Sequence, residues 1–213
     1  MKKKLLVILI VLGLFVWSGS AQTIEITPSY GYQLGTKLNY GQNFIRMDDG
    51  SQFGVVLGVE TANDLMAELT YIRQSANLTI RDVVVSPQES YLAELNADWF
   101  QVGAIRYFQD DVVQPYAGGG LGIVIYSPQN ENFDILTRSL DNQTVFSFHF
   151  KGGVNIMFSE VVGLNLQAAL LLPVNWGGVF VGAGPGGATG GVSISSTTIA
   201  GAFSGGLVFR FGN

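Results

Sequence analysis

Ile24-Glu25-Ile26-Thr27-Pro28-Ser29-Tyr30-Gly31-Tyr32-Gln33-Leu34-Gly35 decides the fold class. Every even position is apolar or aromatic, and every odd position is polar or glycine. A β-strand turns successive side chains to opposite faces, so this stretch has one greasy face and one small, polar face. The same period recurs along the chain. Phe53, Val55, Leu57 and Val59 alternate with Gln52, Gly54, Gly58 and Glu60. Phe146, Phe148, Phe150, Val154 and Ile156 alternate with Ser147, His149, Lys151, Gly153 and Asn155. The pattern predicts eight strands, at 24–35, 52–61, 64–75, 91–108, 115–126, 144–158, 161–174 and 196–211. In the fourth strand the phase slips near Trp99-Phe100, as a β-bulge would cause.

The connections carry as much information as the strands. Those at 61–64, 109–114 and 159–160 are short, whereas 36–51, 76–90, 127–143 and 175–195 are long, and the two kinds alternate strictly. An even number of strands with short turns on one side and long loops on the other is the pattern of a transmembrane barrel. About ten residues at ~3.3 Å each, tilted by ~40°, span the roughly 25 Å apolar band. The expectation is an all-β, eight-stranded antiparallel transmembrane barrel with up-and-down connectivity.

Composition decides which face meets lipid. Charged residues are only 13% of the 213, where a soluble domain usually carries about 25%. The apolar face therefore points outward, and the small polar face fills the narrow interior of an eight-stranded barrel. Tyr30, Tyr32, Tyr71, Trp99, Tyr107, Phe108, Tyr116, Tyr126, Phe158, Trp176 and Phe211 lie near strand ends, where rings suit the boundary between headgroup and hydrocarbon.

The first residues read as an address. Lys2, Lys3 and Lys4 precede the apolar run Leu5 to Trp17, and Gly19 and Ala21 occupy the −3 and −1 places of a cleavage site. Residues 1–21 are expected to be a cleaved signal peptide and 22–213 the barrel. With no cysteine, the chain has no disulfide framework, thiol catalyst or zinc–thiolate site. The formal charge of −5 argues against nucleic acid, and a single histidine argues against a histidine-rich metal centre.

Gln114-Pro115-Tyr116-Ala117-Gly118-Gly119-Gly120-Leu121-Gly122 resembles the PY-x-G-x-G-x-G strand of small outer-membrane barrels. The preceding Val102 to Phe108 and the final Gly205 to Phe211 are similar to that group's neighbouring and terminal strands. The resemblance to OmpA-, OmpX- and OmpW-like barrels covers the whole chain after residue 21. It implies the Gram-negative outer membrane, contact with outer-membrane lipid and lipopolysaccharide, delivery by the barrel-insertion machinery, and a monomer.

Read on the residues, the lumen face carries Glu25, Glu60, Glu68, Glu94, His149, Lys151 and Arg210, joined by Asp98 and Arg106 if the fourth strand bulges. Opposite charges in a narrow lumen either pair and seal it or line a polar, gated pore. Ser147 and His149 share a face and, with Glu94, are the residues a hydrolase triad would need. Such a pair would face the lumen, and the reading favoured is non-enzymatic, without cofactor or metal. Asp48-Asp49-Gly50-Ser51 and Asp110-Asp111 read as turns. Asn175 to Thr198 has no charge, and its Trp176, Val179, Phe180 and Val181 suit an apolar entrance at the barrel mouth. The leading function is porin-like passage of small solutes, including apolar ones through that fourth loop. The alternative is a plugged barrel that binds partners through its four outer loops.

Overall fold

The computed structural model describes residues 23–61, 65–84, 86–109, 111–174, 181–184, 187–190 and 199–212. The expected signal peptide and the loop residues Trp176, Val179 and Phe180 lie outside them. Twelve strands follow in chain order: β1 (Ile24–Gln33), β2 (Thr36–Tyr40), β3 (Asn43–Met47), β4 (Gly50–Glu60), β5 (Leu65–Asp82), β6 (Ser86–Tyr107), β7 (Val113–Gln129), β8 (Gln143–Met157), β9 (Val162–Val174), β10 (Val181–Gly184), β11 (Gly187–Gly190) and β12 (Ala200–Phe211). Eight of them close a ring in the order β1-β4-β5-β6-β7-β8-β9-β12, every neighbour antiparallel.

The register fixes the shape. Partners followed round the ring run Glu25, Gly58, Glu68, Gly103, Gly120, His149, Leu171, Ala200. Since Ala202 faces Gln33, Ala200 stands level with position 35, so the circuit climbs 35 − 25 = 10 residues. Eight strands with that stagger tilt by roughly 40° and leave an interior that side chains can fill.

The period of two is visible as pairs of sequence neighbours on opposite walls. Leu69, Val102, Leu121, Phe150 and Phe203 are exposed on the outside, at 54, 60, 52, 59 and 59%. Glu68, Gln101, Gly120, Lys151 and Ser204, one residue away, point into the barrel. An outer wall of large apolar side chains around an inner wall of polar ones is the arrangement that hydrocarbon requires. The start of β1, the end of β12, Thr61, residues 108–109 and 111–112, and the turn at 158–161 lie at one end. The hairpin β2–β3, the β5–β6 tip, residues 130–142 and the self-paired β10–β11 lie at the other.

Two expectations about the loops change. Residues 76–90 are not a loop: β5 continues to Asp82 and β6 starts at Ser86. The inward side stays apolar there (Ala76, Leu78, Ile80), but the outward side turns polar (Ser75, Asn77, Thr79). The contrast that marks a lipid-bathed strand therefore fades where the sheet rises into water. Residues 36–51 hold the hairpin β2–β3, and β3 pairs with the upper part of β5.

These extensions share a small core of their own. Ile45, Ile80, Leu92 and Leu136 are buried together, with Leu78, Ile135 and Leu140 against them. The two hairpin tips are tied by Asp82, which accepts from Asn43 Nδ2 at 2.9 Å and from the Val84 amide at 2.9 Å, while the Val83 amide donates to Asn43 Oδ1 at 3.0 Å. Hydrogen bonds to a charged group are each worth about 1.5–3 kcal/mol. Asp82→Ala should therefore loosen the tip, raising the rate of proteolytic nicking near residues 82–86 by about tenfold or more. The unfolding midpoint of the barrel should hold. Unchanged nicking would mean that the tie does not order the tip.

Candidate functional site: the lumen

The lumen is built in layers. At the short-turn end, Arg210 of β12 meets Glu25 of β1, with Nη2 at 2.6 Å and Nε at 2.7 Å from Oε1. Arg210 Nη2 also donates to Gln114 Oε1 on β7 at 2.7 Å. The other Glu25 oxygen accepts from the Tyr107 hydroxyl of β6 at 2.6 Å. Asn155 Nδ2 donates to that hydroxyl at 2.9 Å, and Asn165 Nδ2 donates to Asn155 Oδ1 at 2.6 Å and to the Tyr116 hydroxyl at 2.8 Å. Tyr116 donates on to Gln167 at 3.2 Å, and Gln167 to Ser204 at 2.8 Å. The Tyr107 and Tyr116 rings pack edge to face, with centroids 5.8 Å apart.

One layer up, Lys151 Nζ of β8 lies 2.6 Å from Glu68 Oε2 of β5, with both side chains about 95% buried. The positions of these partners matter more than their number. Glu68 and Lys151 stand on strands three places apart in a ring of eight, as do Glu25 and Tyr107, and Arg210 and Gln114. Each contact therefore crosses the bore rather than running along its wall. Two carboxylates and two cations balance in charge, which is what makes their burial tolerable.

Glycine makes room for this packing on β7 and β8. A Cβ on Gly120 would strike the Val102 carbonyl and come within 2.7 Å of His149 Cε1. A Cβ on Gly153 would lie 2.6 Å from the Tyr116 hydroxyl. Gly120 of the PY-x-G-x-G-x-G strand thus leaves space for His149, and Gly153 on β8 for Tyr116.

Above the ion pairs come Gln33, Gln52, Gln74, Gln101, Ser147 and His149, all at most 4% exposed. Gln101 Nε2 donates to Ser147 Oγ at 3.4 Å. Both ring nitrogens of His149 lack a protein partner among the described residues. A cluster of Ile72, Ala97, Trp99, Val124, Val145, Leu171 and Ala200 is buried beside these amides, also on the long-loop side of the ion pairs.

Of the residues expected in the lumen, Glu25, Glu68, His149, Lys151 and Arg210 are there. Glu60 also faces inward, at the rim of β4, and takes no part in the network among the described residues. Glu94, Asp98 and Arg106 are on the outside. The irregularity in β6 lies at Leu92, since Leu78 faces Ala93 while Thr79 faces Tyr91. From Ala93 to Tyr107 the phase is unbroken, so these even-numbered residues point outward. Asp98 accepts from the Tyr71 hydroxyl at 2.7 Å and lies 3.7 Å from Arg73. Glu94 accepts from Asn130 at 2.7 Å. A Ser147–His149–Glu94 triad is thereby excluded, because the barrel wall separates the carboxylate from the other two.

The aromatic belt also needs correction. Trp99 and Tyr116 are 1% and 4% exposed inside the barrel, with Tyr107 packed against Tyr116 and Tyr126 against Trp99. Tyr30, Tyr32, Phe108, Phe158 and Phe211 do face outward. Signals that would have found the cross-lumen tyrosines were present, since Tyr107 and Tyr116 share the parity of Gln101 and Gln114. Asp49 accepts from the Gly35 amide at 3.0 Å and from Tyr32 at 3.2 Å, and Asp48 pairs with Arg46 at 3.0 Å, so these acids do brace a turn. Of the expected loop entrance only Val181 is placed, at the start of β10.

Comparison with known proteins agrees on architecture. The sequence matches no protein-family model and no curated protein. Among solved structures, the chain is similar to the outer membrane protein OprG from Pseudomonas aeruginosa (TM-score 0.61, 14% identity, 90% of this chain and 96% of that one). It is also similar to Neisserial surface protein A (TM-score 0.58, 15% identity, 90% and 98%) and to the outer membrane protein AlkL in lipid bilayers (TM-score 0.57, 12% identity, 91% and 90%). At these identities the likeness shows the fold: the small outer-membrane β-barrel.

Proposed function

We propose that this chain is a non-enzymatic barrel of the Gram-negative outer membrane, sealed through its lumen, which works through the ordered structure on its outer side. The observation that carries this reading is the set of contacts that cross the bore. A solute would have to part Lys151 from Glu68 and displace Tyr107 from Glu25. Breaking one buried pair costs about 3–5 kcal/mol, which keeps the open form below about one molecule in a hundred. The braced hairpins and their core give the outer side a defined surface of the kind a binding partner needs. Passage of small solutes is the second reading. It is supported by polar atoms above the ion pairs that have no partner among the described residues, the Oε1 atoms of Gln33, Gln52 and Gln101 and both amide atoms of Gln74, which would suit water and polar solutes if the seal moved.

Single-channel recording on refolded barrel in a planar bilayer separates the two, after heat-modifiable gel mobility has confirmed insertion. The sealed reading expects no discrete openings from the wild type. Reproducible openings whose ion selectivity changes with Lys151→Gln plus Arg210→Gln would overturn it and place the function in the lumen.

A further inference from the structure

The outer wall carries a groove of about 790 Å³ across β8, β9, β12 and β1. Its floor is Gly152, Ala168 and Gly205, and Leu166, Phe203 and Tyr30 rise beside it. Register places these residues together: Gly152 faces Ala168, Ala168 faces Phe203, and Gly205 faces both Leu166 and Tyr30. All lie along the middle of their strands, on the face that forms the apolar belt. Tyr32 forms the upper wall, its hydroxyl tied to Asp49 at the end where the long loops lie.

The notch is not forced by packing. A Cβ on Gly152 would meet nothing nearer than the Tyr116 carbonyl oxygen at 3.7 Å. On Gly205 the nearest atom would be Leu166 Cδ2 at 3.4 Å, an ordinary contact. By contrast, Cβ atoms on Gly31 and Gly206 would collide with the backbone oxygens of Phe203 and Pro28. Glycine weakens a strand interior, so glycine where larger residues fit leaves surface open at a cost in stability. Elsewhere on the belt most outward positions are filled by Leu, Ile, Val and Phe, with a second run of small residues at Ala67, Ala104, Ala117 and Gly119 on β5, β6 and β7.

We infer that this groove is a binding site for one acyl chain of an outer-leaflet lipid. The occupant follows from depth and continuity: the groove is part of the lipid-facing belt, where an unmatched polar group costs several kcal/mol, so what fills it is hydrocarbon. Its wall of Tyr32 points it toward the outer leaflet. A seated chain gains van der Waals contact with Leu166, Phe203 and Tyr30 as well as with the floor, more than a chain laid along a single strand would. This site is independent of whether the lumen conducts.

The test is lipid retention. Full barrel is reconstituted in nanodiscs of phosphatidylethanolamine and phosphatidylglycerol, released into mild detergent, and weighed by native mass spectrometry. Wild type should keep one phospholipid at a detergent concentration that strips the rest. Gly205→Leu and, independently, Ala168→Leu should lower that retained fraction about tenfold, while Ala117→Leu, on the exposed face of β7, should not. Heat-modifiable mobility shows which variants have folded, and either groove variant suffices. Equal retention in all four proteins, no retained lipid in wild type, or a dimer that the groove variants dissociate would overturn the assignment, the last making a second copy the occupant.

Discussion

Lys151→Met should destabilise the barrel by roughly 3–5 kcal/mol, read as the free energy of urea unfolding in lipid vesicles. The size follows from what is left behind. Glu68 is 7% exposed and its carboxylate faces Lys151 Nζ at 2.6 Å across the bore. Removing the ammonium leaves an uncompensated charge in the lumen, on the same end as Glu25. Adding Glu68→Gln to the same chain should recover most of the loss, because a buried ion pair replaced by neutral groups of similar volume is often neutral or stabilising. The recovery is the informative half. If the double variant is as unstable as the single one, Lys151 matters for packing against Tyr116, whose ring centroid lies 5.9 Å from Nζ, and the charge pair is incidental.

Much of this architecture was legible in the sequence, for a physical reason. A strand in a bilayer reports its own phase, since one face must be apolar and the next cannot be. Eight alternating stretches therefore give eight strands, and the alternation of short and long connections tells which strand ends lie together. The same logic placed Glu25, Glu68, His149, Lys151 and Arg210 in the lumen from parity alone. The misses come where the bilayer stops imposing contrast. Above the belt, Ser75, Asn77 and Thr79 face water, and β5 ceased to look like a strand although Leu78 and Ile80 still pack inward. Residue type misled where parity would not have. Trp99, Tyr107 and Tyr116 read as interfacial because they are aromatic and close to strand ends, yet each has the parity of a lumen residue. The alternation reads as slipping phase near Trp99-Phe100, whereas Leu92 is where the extra residue sits. Which residues reach across the bore is not in the pattern at all. It depends on the stagger of ten residues, which brings Glu68 on β5 near the height of Lys151 on β8, and stagger is set by the closure of the whole ring.

Leu69→Arg should cost about 2–4 kcal/mol, although its neighbour Glu68 already carries a charge in the same strand. Nothing in the local sequence separates the two positions except phase. Leu69 is 54% exposed in the lower part of β5, within the apolar belt, facing outward between Leu57 and Val102. In a bilayer that exposure is to hydrocarbon, and a guanidinium there must thin the membrane or reach for its headgroups. The effect should depend on depth along this one strand face. Asn77→Arg lies on the same outward side of β5, four pleats higher, opposite Glu94. There the substitution should change stability by at most about 1 kcal/mol. Both are measured by unfolding in vesicles, and the difference between them is the quantity of interest. A soluble barrel with this surface would show no such gradient, because water would meet the arginine equally well at both heights. If the two substitutions cost the same, the apolar outer wall does not lie in hydrocarbon, and the proposed site for an acyl chain on that wall loses its premise as well.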